Sequence, residues 1–261
     1  MSTALITGAS SGIGEAFAVE LAQRKNDLVL VARSENKLQQ LAQELQKKYQ
    51  IRAEVIAQDL TENNAGTIIF KTTQEKNLQI DLLINNAGFG DYSRFSETSH
   101  EKQIDMVKLN VLALVDLTHQ FLPLMQQRGQ GSIINVSSFT AFQPIPYFSL
   151  YAATKVFILH FSEALWAENI NTGVKILAFC PGPTETNFFN RANFDKFASG
   201  GAKEGLAASP ESVVKEALQA LENNNSYVVA GGMQNKILSR LSGILPRPLL
   251  VKLLEKKFRP K

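Results

Sequence analysis

The chain has 261 residues, 44% of them hydrophobic and 20% charged, with a formal net charge of +3; this profile is ordinary for a soluble globular protein of one or two domains. One cysteine, Cys180, and three scattered histidines, His100, His119 and His160, exclude a disulfide framework and any metal-ligand spacing. The charge is lopsided, because residues 236–261 hold eight Lys/Arg against the single acid Glu255 and leave the rest at −4, so no nucleic-acid partner is expected.

Short apolar runs alternate with helical stretches along the chain. Ala4 to Thr7 reads as a strand, Gly12 to about Arg24 as a helix, and Leu28 to Ala32 as a second strand. Asn36 to Tyr49 carries Leu38, Leu41 and Leu45 at helical spacing. Ala53 to Ala57 is a strand, Asn64 to Lys76 a helix and Leu82 to Asn85 a strand. One long helical stretch is expected from Glu101 to Arg128, then a strand from Ser132 to Val136, a helix from Tyr151 to Asn169 and a strand from Val174 to Phe179. Ser209-Pro210-Glu211 is a helix-start signal, a capping hydroxyl followed by Pro and an acid. That helix should reach Leu221, and Tyr227 to Ala230 closes the series. The pattern predicts a single-domain α/β fold, a Rossmann-type doubly wound parallel sheet of seven strands with helices on both faces. Residues 1–235 would form this dinucleotide-binding and catalytic domain, and 236–261 a basic amphipathic extension split by Pro246 and Pro248. Gly182 to Ala208 is the one long irregular stretch, which marks it as functional. No apolar run is long enough to span a bilayer and no basic leader precedes the first strand, so a reducing, cytoplasmic setting is expected.

Between the first strand and helix lies Thr7-Gly-Ala-Ser-Ser-Gly-Ile-Gly14. Glycines there let the backbone turn tightly and approach a pyrophosphate, which the helix N-terminus then attracts. Gly8, Ser10, Ser11, Gly12, Ile13 and Gly14 are therefore candidate cofactor contacts. A NAD site places an acid at the end of the second strand. Here that position is Ala32, followed by Arg33. A guanidinium can bind a 2′-phosphate, so NADP(H) is the expected cofactor; the alternative is a cation that merely lies along a strand end.

Tyr151 and Lys155 stand at i, i+4 on one helix face. A neighbouring ammonium favours phenolate and lowers the tyrosine pKa, as a general acid/base at an alcohol or carbonyl requires. Ser138 follows the strand that ends at Val136, at the sheet edge where α/β proteins bind ligands. Buried packing is the expected role for Cys180, and packing or surface exposure for His160.

With these motifs the chain resembles the classical short-chain dehydrogenase/reductase family over residues 3 to about 230. The resemblance rests on the Gly-rich turn, Asp59-Leu60, Asn85-Asn-Ala-Gly88, Asn110, Ser138, Tyr151-x-x-x-Lys155 and Pro181-Gly-Pro-Thr-Glu-Thr186. It implies that Tyr151 handles the proton at the substrate oxygen, Ser138 steadies that oxygen, and Lys155 tunes Tyr151 and binds the nicotinamide ribose. It gives Asn110 a water in a proton relay. It places Asp59 at the adenine amino group with Leu60 beside it, and lines the cofactor with Asn86, Ala87 and Gly88. Asn85 would link neighbouring strands. Pro181, Gly182, Thr184 and Thr186 would cover the nicotinamide, one of the two threonines near its carboxamide. A homodimer or homotetramer is likewise implied.

The resemblance puts substrate contacts in residues 89–98, 139–149 and 184–205, which hold nine of the sixteen phenylalanines. Loops that rich in aromatics cover apolar surface, so a hydrophobic carbonyl or alcohol substrate is expected, the alternative being an apolar lid whose Phe188 and Phe189 pack onto the body. The tail is expected to pack on the body, cover another subunit or close the substrate pocket, with an anionic membrane surface as the alternative.

Overall fold

The computed structural model describes residues 2–193, 207–241 and 246–260. Seven strands form one all-parallel sheet in the order β3-β2-β1-β4-β5-β6-β7. They are β1 (Thr3–Thr7), β2 (Asp27–Ala32), β3 (Ala53–Ala57), β4 (Leu82–Asn85), β5 (Gly131–Val136), β6 (Val174–Pro181) and β7 (Tyr227–Ala230). Strand order reverses between β1 and β4, which opens a crevice at their C-terminal ends.

Alternate residues of each strand point to opposite faces, and both faces are covered. Ala4, Ile6, Leu28 and Leu30 meet α1 (Gly12–Gln23), α2 (Glu35–Tyr49) and α8 (Pro210–Glu222) through Phe17, Leu38, Leu41, Val213 and Leu218. Leu5, Val29, Leu83 and Ile133 meet α3 (Ala65–Glu75) and α5 (Ala113–Arg128) through Ile69, Leu117 and Phe121. The helix-start signal works as read. Ser209 Oγ accepts from the Ser212 N–H at 3.2 Å, and Pro210 sits in the first turn of α8.

The stretch from 101 to 128 is not one regular helix. α4 (His100–Val107) passes into a π turn, Lys108–Leu112, before α5 begins. A wide turn of this kind is common at functional sites, and Asn110 lies buried at its centre. α6 (Ser149–Glu168) follows β5, and the four-residue α7 (Phe188–Arg191) falls inside the stretch expected to be irregular. In the tail, α9 (Met233–Leu241) begins before residue 236, and α10 (Arg247–Phe258) carries Pro248 in its first turn. The two prolines thus stand at the start of the second tail helix, where the first-turn N–H groups have no helical partner to lose.

Candidate active site

The turn after β1 is held tight from three sides. Gly8 and Gly12 adopt φ of +67° and +61°. A Cβ on Gly14 would stand 2.3 Å from the Gly8 carbonyl oxygen and 2.6 Å from Asn86 Nδ2. This close approach brings the start of α1 onto the end of β1, and α1 has no side-chain cap on its first turn. Its N–H groups are thus directed at the crevice mouth. Asn86 is the clasp: its Nδ2 donates to Thr7 O at 2.9 Å, and its backbone N–H donates to Thr7 Oγ1 at 2.9 Å. The side chain of Asn86 is therefore committed to bracing β4 against β1, while Ala87 and the exposed Gly88 follow it at the crevice. Asn85 links strands, donating to Asn135 Oδ1 at 2.9 Å and to Thr118 Oγ1 at 3.1 Å.

At the next strand ends, Arg33 lies exposed, its guanidinium 3.6 Å from Asp59 Oδ2. Asp59 is anchored by the Thr61 backbone N–H at 2.9 Å and hydroxyl at 2.7 Å. Burial opposes its ionisation, but these donors and Arg33 outweigh it and hold the carboxyl below the ordinary aspartate range. Leu60 is buried beside it. An uncapped helix N-terminus, glycines where a Cβ would not fit, an exposed cation and the carboxylate it pairs with together suit an anionic dinucleotide.

Past β5, Ser138 is extended (φ −165°) and its Oγ accepts from the Thr140 N–H at 3.1 Å. Ser137 reaches the other way, donating to Lys155 O at 2.7 Å, which fixes α6 against the sheet. Tyr151 and Lys155 are both buried in the first turns of α6. Lys155 Nζ donates to Val136 O at 2.8 Å and stands 5.5 Å from the centre of the Tyr151 ring. The expected lowering of the Tyr151 pKa by Lys155 is not what this geometry gives. Burial raises the phenol well above its usual value, the Ser138 hydroxyl only partly opposes it, and Lys155 is turned to the carbonyl. The same burial lowers Lys155 to about 8. Asn110 approaches from the π turn, donating to Phe89 O at 3.0 Å and Thr154 Oγ1 at 3.1 Å and accepting from the Phe89 N–H. It holds the segment after β4 against α6. Cys180 is fully buried, its thiol pushed up to about 12, which makes it inert.

The last wall comes from the segment after β6. Thr186 Cγ2 would lie 3.2 Å from a Cβ on Gly12, so this segment closes over the Gly-rich turn. Thr184 Oγ1 donates to Gly182 O at 2.9 Å, and Thr184 pairs with Ala208 in an isolated parallel bridge. Pro181 is buried at the end of β6, and Gly182 is pressed against Asn235 of α9.

The aromatic loops divide into two groups. Tyr151 lies between Phe148 and Phe188, with ring centres at 4.3 Å and 5.4 Å. Tyr92, Ile145 and Met106 complete that cluster, and Phe89 packs on it. Phe139 and Phe142 pack instead with Leu159 and Val229, and Phe95 is 61% exposed. Phe194 and Phe197 lie outside the described residues.

Sequence reasoning missed Asp91, which organises the segment after β4. Its carboxylate receives Lys102, Ser93, Thr98 and Asn193. It also missed Tyr147 and Glu255, whose contact joins distant parts of the chain. None of the three belongs to a local motif.

The family model for short chain dehydrogenases matches residues 2–197. A Homo sapiens protein named inactive hydroxysteroid dehydrogenase-like protein 1 is 32% identical over 195 residues, 73% of this chain. The match spans 58% of that relative's own length. A Bos taurus very-long-chain 3-oxoacyl-CoA reductase is 30% identical over 259 residues, 96% of this chain and 77% of that protein. Among solved structures, a short-chain dehydrogenase from Sphingobium yanoikuyae in complex with NADPH has a TM-score of 0.84 at 31% identity, covering 94% of this chain and 93% of that one.

Proposed function

The chain belongs to the short-chain dehydrogenase family, and on that footing we propose that it moves a hydride between NADP(H) and the carbonyl or alcohol carbon of an apolar substrate. The observation that carries this reading is the Tyr151 phenol buried in an aromatic wall, with Lys155 one turn along the same helix and Ser138 at the end of the adjoining strand. A catalytically silent cofactor sensor is the weaker reading, because such a protein has no need of all three groups together.

The bound nicotinamide would supply or accept the hydride. Tyr151 gives its proton to the substrate oxygen in reduction and takes it back in oxidation. The Ser138 hydroxyl donates to the same oxygen and stabilises charge as it develops there. Lys155 would offer its ammonium to the ribose hydroxyls, and Asn110 keeps Phe89 and α6 in register behind it. The α1 N-terminus would hold the pyrophosphate, Asp59 the adenine edge, and Arg33 the 2′-phosphate. NADP(H) as cofactor is supported by Arg33 and by the NADPH held in the Sphingobium structure.

Two measurements test these assignments. Arg33→Ala is expected to lower the ratio of kcat/KM for NADPH over NADH by about tenfold or more, the worth of a charge-assisted hydrogen bond to phosphate; an unchanged ratio removes Arg33 from that role. Following NADPH absorbance against a carbonyl panel should show apolar ketones, aldehydes or 3-oxoacyl compounds favoured over small polar carbonyls by about tenfold or more. The reverse order overturns the apolar assignment.

A further inference from the structure

The C-terminal helix α10 lies beyond the residues matched by the family model, yet it touches the cluster around Tyr151. Leu250 and Leu254 are buried one turn apart, and Phe258, one turn further, packs on that cluster. The exposed side carries Lys252, Lys256 and Lys257. Two polar contacts then fix the helix to the substrate side. Tyr147 Oη donates to Glu255 Oε1 at 2.6 Å, and Tyr92 Oη donates to the Phe258 carbonyl. Glu255 is itself held by Arg259 through two hydrogen bonds of 2.8 Å. Arg259 and the Tyr147 phenol keep Glu255 ionised, with a pKa of about 2.

Tyr147 is the joint. It is a non-glycine residue at φ +63°, in the left-handed region that bulky side chains rarely enter. Such a conformation persists only where the surroundings over-determine it, and here three contacts do so. Its hydroxyl is bound to α10, its carbonyl accepts from the Ser93 N–H at 2.9 Å, and its ring packs on Tyr92 at 6.2 Å. Phe148, the next residue, forms the wall against Tyr151.

We propose that α10 is a latch on the substrate side of the cleft, and that Tyr147 and Glu255 are positioning residues that set how well bulky apolar carbonyls are accepted. The latch spans two segments at once, Tyr92–Ser93 and Tyr147–Phe148, which bear the aromatic wall. Loss of the phenol–carboxylate contact releases Tyr147 from its left-handed conformation and lets Phe148 drift from its place beside Tyr151. A small substrate touches little of that wall; a bulky one needs all of it. The proposal rests on the reductase reading, whose failure the following experiment separates from its own.

The test compares the intact chain with Tyr147→Phe and Glu255→Gln, using NADPH with acetone and with an aryl alkyl ketone. Tyr147→Phe retains the ring contact with Tyr92 and removes only the hydroxyl. It is expected to raise KM for the aryl ketone about tenfold with kcat within about twofold, and to leave KM for acetone unchanged. Glu255→Gln retains an acceptor for the phenol and should give a smaller rise of the same kind. Independently of turnover, hydrogen exchange at the Ser93 amide should quicken in Tyr147→Phe. Equal losses for both ketones, or an unchanged aryl-ketone KM with unchanged Ser93 exchange, overturn the latch. If the unmodified protein reduces neither ketone nor any other carbonyl of the panel, the reductase reading is what fails, and Ser93 exchange alone decides the latch.

Discussion

Tyr151→Phe is expected to cut carbonyl reduction by about 10²- to 10⁴-fold, the range of a lost general acid, while NADPH affinity stays within about twofold. The substitution removes one oxygen. The ring still fills its place between Phe148 and Phe188, so the wall and the cofactor cradle persist. Stopped-flow reduction and NADPH fluorescence titration measure the two quantities separately; near-normal turnover in the variant sinks the proton role. The intact site carries a matching pH signature. A phenol whose pKa is raised by burial is protonated at neutral pH, which suits reduction. Its proton is lost only as pH climbs well above the ordinary tyrosine range, whereas Lys155 loses its charge near pH 8. Reduction should thus hold below that point and fall above it with the lysine ammonium. A profile still flat well above pH 8 means that the ammonium is not required.

The second large effect is expected at Gly14. Gly14→Ala places a methyl carbon 2.3 Å from a backbone carbonyl and 2.6 Å from the amide that clasps β4 to β1. Neither neighbour is the loose end of a flexible chain, so α1 must retreat. Overpacking of this kind costs about 1–3 kcal/mol, visible as a lower urea midpoint. The retreat also withdraws the helix N-terminus from the pyrophosphate, and NADPH binding should weaken by about tenfold or more, since several backbone donors shift together. An unchanged midpoint together with unchanged affinity shows that the cradle is looser than these distances state.

Most of the framework was legible because buried parallel strands are short apolar runs and their helices carry leucines at helical spacing. Leu38, Leu41 and Leu45 named the inner face of α2, and all three are buried. The π turn at Lys108–Leu112 was not legible, since the apolar pattern runs unbroken from α4 into α5. Spacing brought Tyr151 and Lys155 together but carries no information on desolvation, which reversed the expected direction of the tyrosine pKa. The motif places Asn86 at the cofactor but does not announce the second task of its side chain, bracing Thr7 and Gly8. That role depends on the pairing of β4 with β1. Tyr147 and Glu255 are 108 residues apart, and nothing local marks either as the other's partner.

The bridge between Thr184 and Ala208 has a consequence for how this part of the chain tolerates change. It pins both ends of the intervening segment to each other, with Glu185 N–H bonded to Ala208 O and Ala208 N–H to Pro183 O at 3.0 Å each. Such a base works like the neck of a graft. Segments of different length can be exchanged above it without shifting the register of β6 and β7, because closing a longer loop on a fixed neck adds only a small entropic cost. Any such exchange carries Phe188 and Thr186 with it, so the replacement must restore a neighbour for the Tyr151 ring and a cover for the Gly-rich turn.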